Sequence, residues 1–103
     1  MGIFDFLFRN KTKTIKDFAS RGAVIVDVRT KGEFSGGAIP GSKNIPLQQI
    51  GKRVTEIKKW NKPVILCCAS GMRSGSATGV LKSKGIEAIN GRGWLSLSSK
   101  LTT

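Results

Sequence analysis

The stretch Val64-Ile65-Leu66-Cys67-Cys68-Ala69-Ser70-Gly71-Met72-Arg73-Ser74 decides how the chain reads. An apolar run stops at a cysteine, a short polar loop follows, and an arginine opens a helix. That pattern is a strand–loop–helix unit with a thiol at its bend. A free thiol titrates near ~8.5, and helix N-termini and nearby cations lower that value. Cys68 has both within reach, the dipole of the helix beginning near Arg73 and Arg73 itself. Ala69, Ser70, Gly71 and Met72 supply backbone N–H groups that cup an anion, and Gly71 accepts a φ that other residues resist. The expected site is a nucleophilic thiolate on Cys68 in a small cradle, with Arg73 beside it and Ala69, Ser70, Gly71, Met72 and Ser74 as the substrate-binding set.

Outward from this loop, helical and extended patterns alternate. Upstream, Leu47, Ile50, Val54 and Ile57 recur at three- and four-residue steps and predict one lysine-rich helix. Trp60-Asn61-Lys62-Pro63 turns that helix into the central strand. Ala23 to Val28 is a continuous apolar run, suited to a strand buried on both faces, with Asp27 as its exception. A carboxylate there needs a partner, which Arg29 or a loop amide can supply. Thr30 to Phe34 predicts a helical turn in which Glu33 pairs with Arg29 at i,i+4 spacing. Gly36 to Ser42 is turn chemistry, and Asn44-Ile45-Pro46 is extended.

The N-terminal side predicts a brief helix capped by Thr14 and ended by Arg21-Gly22. Downstream, Ser74 to Lys84 predicts a helix stopped by Gly85, although Gly75 and Gly79 weaken it. Ile86 to Ile89 is a fourth strand, and Leu95 to Thr103 a polar tail. Strands alternating with helices give an α/β fold, a small three-layer domain. Its central parallel sheet has four or five strands flanked by helices on both faces. The domain is expected over residues 14–97, after an apolar then basic segment 1–13 and before a tail 98–103. Ligands of such sheets bind beyond the carboxyl ends of the strands, where Cys68 lies.

With 103 residues the chain is one domain. Eighteen Lys and Arg against six Asp and Glu give a formal charge of +12, which favours anionic substrates or acidic partners. The lysines are scattered without aromatic interleaving, so no nucleic acid is expected. There is no histidine, which removes His-containing metal sites, Ser–His–Asp triads and Cys–His dyads; no cofactor and no metal are expected. Adjacent cysteines make neither a C-x-x-C pair nor a disulfide framework. Neighbouring strand residues face opposite sides, so Cys67 and Cys68 should diverge, both as reduced thiols in a cytoplasmic protein. Met1 to Phe8 is too short for a membrane span of ~20 residues and has the wrong charge order for a signal peptide. An amphipathic turn packed on the domain is expected, with weak membrane contact the lesser reading.

The loop contains neither histidine nor acid, so it has no proton donor for an alkoxide or amine leaving group. Sulfite and thiolates leave as stable anions and need none. The site therefore suits transfer of sulfane sulfur better than hydrolysis.

At these residues the chain resembles the single-domain rhodanese family of sulfurtransferases. The matching pieces are Val26-Asp27-Val28-Arg29, Glu33-Phe34, Gly37 to Pro46, Cys68 to Ser74 and Gly91-Arg92-Gly93-Trp94, in the family's order. The resemblance implies a persulfide on Cys68 held by the loop amides. It implies Arg73 closing the loop and holding an anionic donor, and Asp27 and Arg29 as supports. Thiosulfate or a persulfide such as glutathione persulfide would be the donor; cyanide, a thiol or a sulfur-carrier protein would be the acceptor. Met72, Arg29 and Trp94 are the candidates at the mouth. Ala38 stands where the family often has histidine, which touches the support of the loop more than its chemistry.

Two further readings exist. Cys67, five residues, then Arg73 and Ser74 is a phosphatase-like spacing, which would make a Cys-dependent phosphatase or arsenate reductase acting through Cys67. Against it, Gly71 falls three residues after Cys68 and the loop is tight for a phosphoryl group. Rhodanese-like folds also serve as non-catalytic binding modules, usually with the cysteine lost, whereas Cys68 and Arg73 are both present.

Overall fold

The strand carrying the cysteines, β3 (Val64–Cys68), is buried along its whole length and lies inside the sheet. The computed structural model describes residues 3–102, with side chains from residue 11 onward. β1 (Val24–Asp27) and β4 (Ala88–Gly93) flank β3, and β2 (Lys43–Asn44) pairs with β1 at the edge, giving the parallel order β2-β1-β3-β4. Among the described residues six α-helices accompany the sheet: α1 (Ile3–Ser20), α2 (Lys31–Ser35), α3 (Leu47–Ile50), α4 (Val54–Lys59), α5 (Met72–Ser83) and α6 (Trp94–Leu101). The expected three-layer α/β architecture with a parallel sheet is what the chain adopts. No helix among the described residues is long and apolar enough to cross a membrane.

Alternation along β3 divides the core in two. Val64, Leu66 and Cys68 join Val26, Ile45, Ile50, Ile57, Ala77 and Leu81 on the α3–α4–α5 face. Ile65 and Cys67 join Ile15, Phe18, Ile39 and Leu97 on the α1–α6 face. The two thiols therefore point into different layers. Both are unpaired.

Helix ends follow local chemistry. Gly85 takes φ 80°, and the N–H groups of Gly85 and Ile86 return to the carbonyls of Lys82 and Leu81, so α5 stops where the sequence predicts. The same bonding pattern ends α1 at Gly22.

Several expectations are corrected. Thr14 does not cap a brief helix: no Gly or Pro interrupts residues 3–13, and α1 runs through it from Ile3. The packing expected of Met1 to Phe8 lies outside the described side chains. The helix expected over Leu47 to Ile57 is broken at Gly51, where a 3₁₀ turn (Gly51–Arg53) separates α3 from α4. Strand β4 begins later than Ile86 and runs on through Gly91-Arg92-Gly93. Gly91 fits there because nothing larger would; a Cβ would come within 2.9 Å of Ile65, Leu66 and Leu97 atoms. Most of the segment expected as a polar tail is helical. Trp94, Leu97 and Leu101 recur at helical spacing and form α6, packed on the α1 face with Leu97 0% exposed.

Docking of α6 has a direct test in urea unfolding. Leu97→Ala should cost about 2–4 kcal/mol through loss of a fully buried side chain. Leu95→Ala, at a position 68% exposed, should stay within about 0.5 kcal/mol.

Candidate active site

Cys68 is the last residue of β3, and Gly71 is the N-cap of α5. Between them the chain must reverse within two residues. Gly71 makes this possible by taking φ 115°, and its missing side chain matters too. A Cβ would sit 3.2 Å from Cβ and 3.3 Å from Cα of Arg92. So folded, the Gly71 N–H donates to Cys68 Sγ at 2.9 Å and the Ser74 N–H at 3.4 Å. Ser74 Oγ lies 3.3 Å from the same sulfur. The Gly71 carbonyl is fixed from behind by the Gly75 N–H at 2.9 Å and by Asn90 Nδ2 at 3.1 Å.

Burial works against an anion on Cys68. The Ser74 hydroxyl and the N–H groups of Ser74, Gly71 and Ser70 outweigh it and hold the thiol below its ordinary value. Cys67 goes the other way. Burial, then the Asp27 carboxylate, push its thiol up to about 12, and it packs with Ile15, Ile65 and Leu97 away from the loop. At neutral pH only Cys68 is within reach of the thiolate form. Cys68 is 1% exposed, beneath a loop whose Ala69, Ser70 and Met72 are exposed, Met72 at 83%. Ser74 is fully buried and reaches the sulfur rather than the mouth.

Arg73 closes the loop onto α2. Its guanidinium makes a forked pair with Glu33 at 2.7 and 3.1 Å. Glu33 is itself set by a capping box with Thr30, whose N–H reaches Oε1 at 3.1 Å while Oγ1 receives the Glu33 N–H at 3.2 Å. The Arg73 guanidinium, followed by the Thr30 N–H, holds the Glu33 carboxyl at about 2, so the clasp is charged throughout the neutral range.

The expected Glu33–Arg29 pair does not form. Arg29 belongs to Asp27 instead, with Nη2–Oδ2 at 2.7 Å and both Nε and the backbone N–H on Oδ1 at 3.0 Å. Its Nη2 also donates to the Gly37 carbonyl at 2.7 Å, and the guanidinium stacks on the Trp94 ring at 4.7 Å. Asp27 is fully buried and Arg29 nearly so. Arg29 and Trp94 thus form a pillar joining the end of β1, the 36–42 turn and α6. Ala38 sits half-buried in that turn.

Of the residues that the sequence singled out, the N–H groups of Ser70, Gly71 and Ser74 meet at the Cys68 sulfur, Arg73 turns to Glu33, Ala69 and Met72 stand exposed on the loop, and Asp27 and Arg29 make the buried pair of the pillar. Asn90 and Thr30 were missed. Asparagine is a poor strand residue, and one placed between Ile89 and Gly91 was a signal that the strand does something there besides pair. Among the described residues no three His, Cys, Asp or Glu side chains gather as a metal site.

The sequence profile of the family described as "Rhodanese-like domain" matches residues 11–93. An uncharacterized protein of Bacillus subtilis is 43% identical over 81 residues, covering 77% of this chain and 64% of that protein. A thiosulfate sulfurtransferase of Pseudoalteromonas translucida is 30% identical over 77 residues, covering 75% and 72%. Among solved structures, a rhodanese-like domain protein of Staphylococcus aureus superposes with a TM-score of 0.70 at 34% identity, over 84% of this chain and 86% of that one. The chain spans about two thirds or less of the length of the curated relatives it matches first. By fold, by loop and by sequence, this chain belongs to the rhodanese-like family, whose relatives here include named sulfurtransferases.

Proposed function

We propose that the chain is a sulfurtransferase that carries sulfane sulfur on Cys68. The observation that carries this reading is the convergence of the Gly71 and Ser74 N–H groups on one sulfur that sits below its ordinary thiol value. The Cys68 thiolate attacks the outer sulfur of an anionic donor, thiosulfate or a persulfide such as glutathione persulfide. In thiosulfate the S–S bond breaks and sulfite departs with the electron pair. The product is Sγ–S⁻, whose charge the same amides can hold. A thiophilic acceptor (cyanide, a thiol or a sulfur-carrier protein) then attacks the outer sulfur, the Sγ–S bond breaks, and the Cys68 thiolate returns. Neither half-reaction needs a proton donor, and the cradle offers none.

Electrostatics support an anionic donor. Lys11 is held below its ordinary value by burial, then by the positive charges of Arg92, Lys100 and Lys82, so like charges crowd together there. Arg92 also lies against Gly71 through its Cα, Cβ and Cγ. Two unpaired cysteines fit a reducing compartment such as the cytoplasm.

Incubation with thiosulfate followed by intact mass measurement should show a gain of about 32 Da, one sulfur atom, reversed by cyanide or dithiothreitol. Cys68→Ser should abolish the gain and Cys67→Ser should preserve it. Loss of the gain in Cys67→Ser alone, or phosphate release from an aryl phosphate that depends on Cys67, would favour the phosphatase reading. No gain in the folded wild type would favour a binding module.

The rate of sulfur uptake should rise with pH as the thiol ionises and level off above a midpoint below the ~8.5 of a free thiol. A rate still climbing towards the range of Cys67, about 12, would place the reactive sulfur on the other face.

A further inference from the structure

Asn90 stands directly behind the cradle. Its Oδ1 accepts the Ser74 hydroxyl at 2.7 Å and the Arg92 N–H at 2.9 Å; its Nδ2 donates to the Gly71 carbonyl at 3.1 Å. Two backbone groups fix the sense of this carboxamide, because the Arg92 N–H can only donate and the Gly71 carbonyl can only accept. A Cβ on Gly75 would lie 3.2 Å from Nδ2, so the glycine that weakens α5 on paper leaves room for the amide. Regular pairing brings Asn90 here, in register with Leu66 of β3. The strand irregularity follows it: Leu66 pairs with Asn90 but Cys68 with Gly93, so β4 carries one extra residue after Asn90, where Arg92 takes φ 68°.

Ser74 has one hydroxyl proton and two acceptors, Asn90 Oδ1 at 2.7 Å and Cys68 Sγ at 3.3 Å. With the proton on Asn90, Ser74 turns a lone pair to the sulfur, which suits an S–H group. An ionised sulfur draws the proton to itself, since bonds to charged acceptors are the stronger ones. Ser74 Oγ and Asn90 Oδ1 would then face each other at 2.7 Å as two acceptors. The amides of Gly71 and Ser74 favour the anion, and Asn90 opposes it through Ser74.

We propose that Asn90 is a positioning residue that competes with Cys68 for the Ser74 hydroxyl proton and so keeps the resting sulfur from being over-stabilised as an anion. A thiolate stabilised too far is a weaker nucleophile, so this restraint serves attack on a donor. When a second sulfur binds, the charge moves to the outer atom and the Ser74 proton returns to Asn90. That consequence rests on the sulfurtransferase reading; the competition for the proton does not.

The test is the pH dependence of iodoacetamide alkylation at Cys68, followed by intact mass in a Cys67→Ser background. Every variant retains the charged residues around the loop: Arg73 of α5 with Glu33 of α2, the Asp27–Arg29 pair at the end of β1, and Arg92 of β4. Asn90→Leu, nearly isosteric, releases the Ser74 proton to the sulfur and should lower the midpoint by about one pH unit. The same change combined with Ser74→Ala should move it no further than Ser74→Ala alone. Asn90→Asp keeps the acceptor, adds a charge and should raise the midpoint, by less when Ser74 is absent. An unchanged or raised midpoint in Asn90→Leu, or a shift that persists without Ser74, overturns the proposal. Should Asn90→Leu fail to fold, an Asn90→Asp shift undiminished by Ser74→Ala overturns it instead, because the residue would then act by charge alone. Alkylation reports on the thiol whether or not sulfur is transferred, so a missing thiosulfate adduct alongside these shifts would count against the function and not against Asn90.

Discussion

The hydrogen bond from the Gly71 N–H to Cys68 Sγ, 2.9 Å long, is what the loop is built to make. It requires a left-handed residue three positions after the cysteine, and that residue must lack a side chain because Arg92 occupies the space. Meeting both demands starts α5 immediately afterwards, which brings the Ser74 N–H onto the same sulfur and aims the helix dipole at it. The rest of the domain holds this arrangement from outside. Glu33 ties Arg73 to α2, Asn90 ties the Gly71 carbonyl to β4, and the Asp27–Arg29–Trp94 pillar fixes the end of β1 beside them.

One strand carries two thiols of opposite character. Cys67 and Cys68 are chain neighbours and both are buried, so composition and exposure do not distinguish them. The pleat does. It sends Cys68 under a ring of donors and Cys67 among aliphatic side chains next to a buried carboxylate, and their tendencies to ionise part in opposite directions. The same alternation that splits the core into two layers thus decides which thiol the loop donors reach.

Most of this was legible because it is local. The apolar run of β3, the glycine after Cys68, Gly85 at the end of α5 and the divergence of the two cysteines each follow from a few adjacent residues. What was not legible depends on distant partners. Glu33 lies at helical spacing from Arg29, yet its carboxylate goes to Arg73, 40 residues away, because Asp27 already takes the Arg29 guanidinium. The serines among Trp94, Leu97 and Leu101 disguised α6 as a tail until the α1 face was there to receive it. Asn90 draws its meaning from Ser74 and Gly71, distant in sequence, which approach it only once β4 lies beside β3.

The central physical claim, that loop amides hold the Cys68 sulfur as an anion, has a direct spectroscopic readout. Amide proton shifts of Gly71 and Ser74, followed by NMR across a pH titration, should move together with one common midpoint below the ~8.5 of an unperturbed thiol, and should stop moving in Cys68→Ala. Amides that do not titrate in that range, or that titrate equally without the Cys68 sulfur, would contradict it.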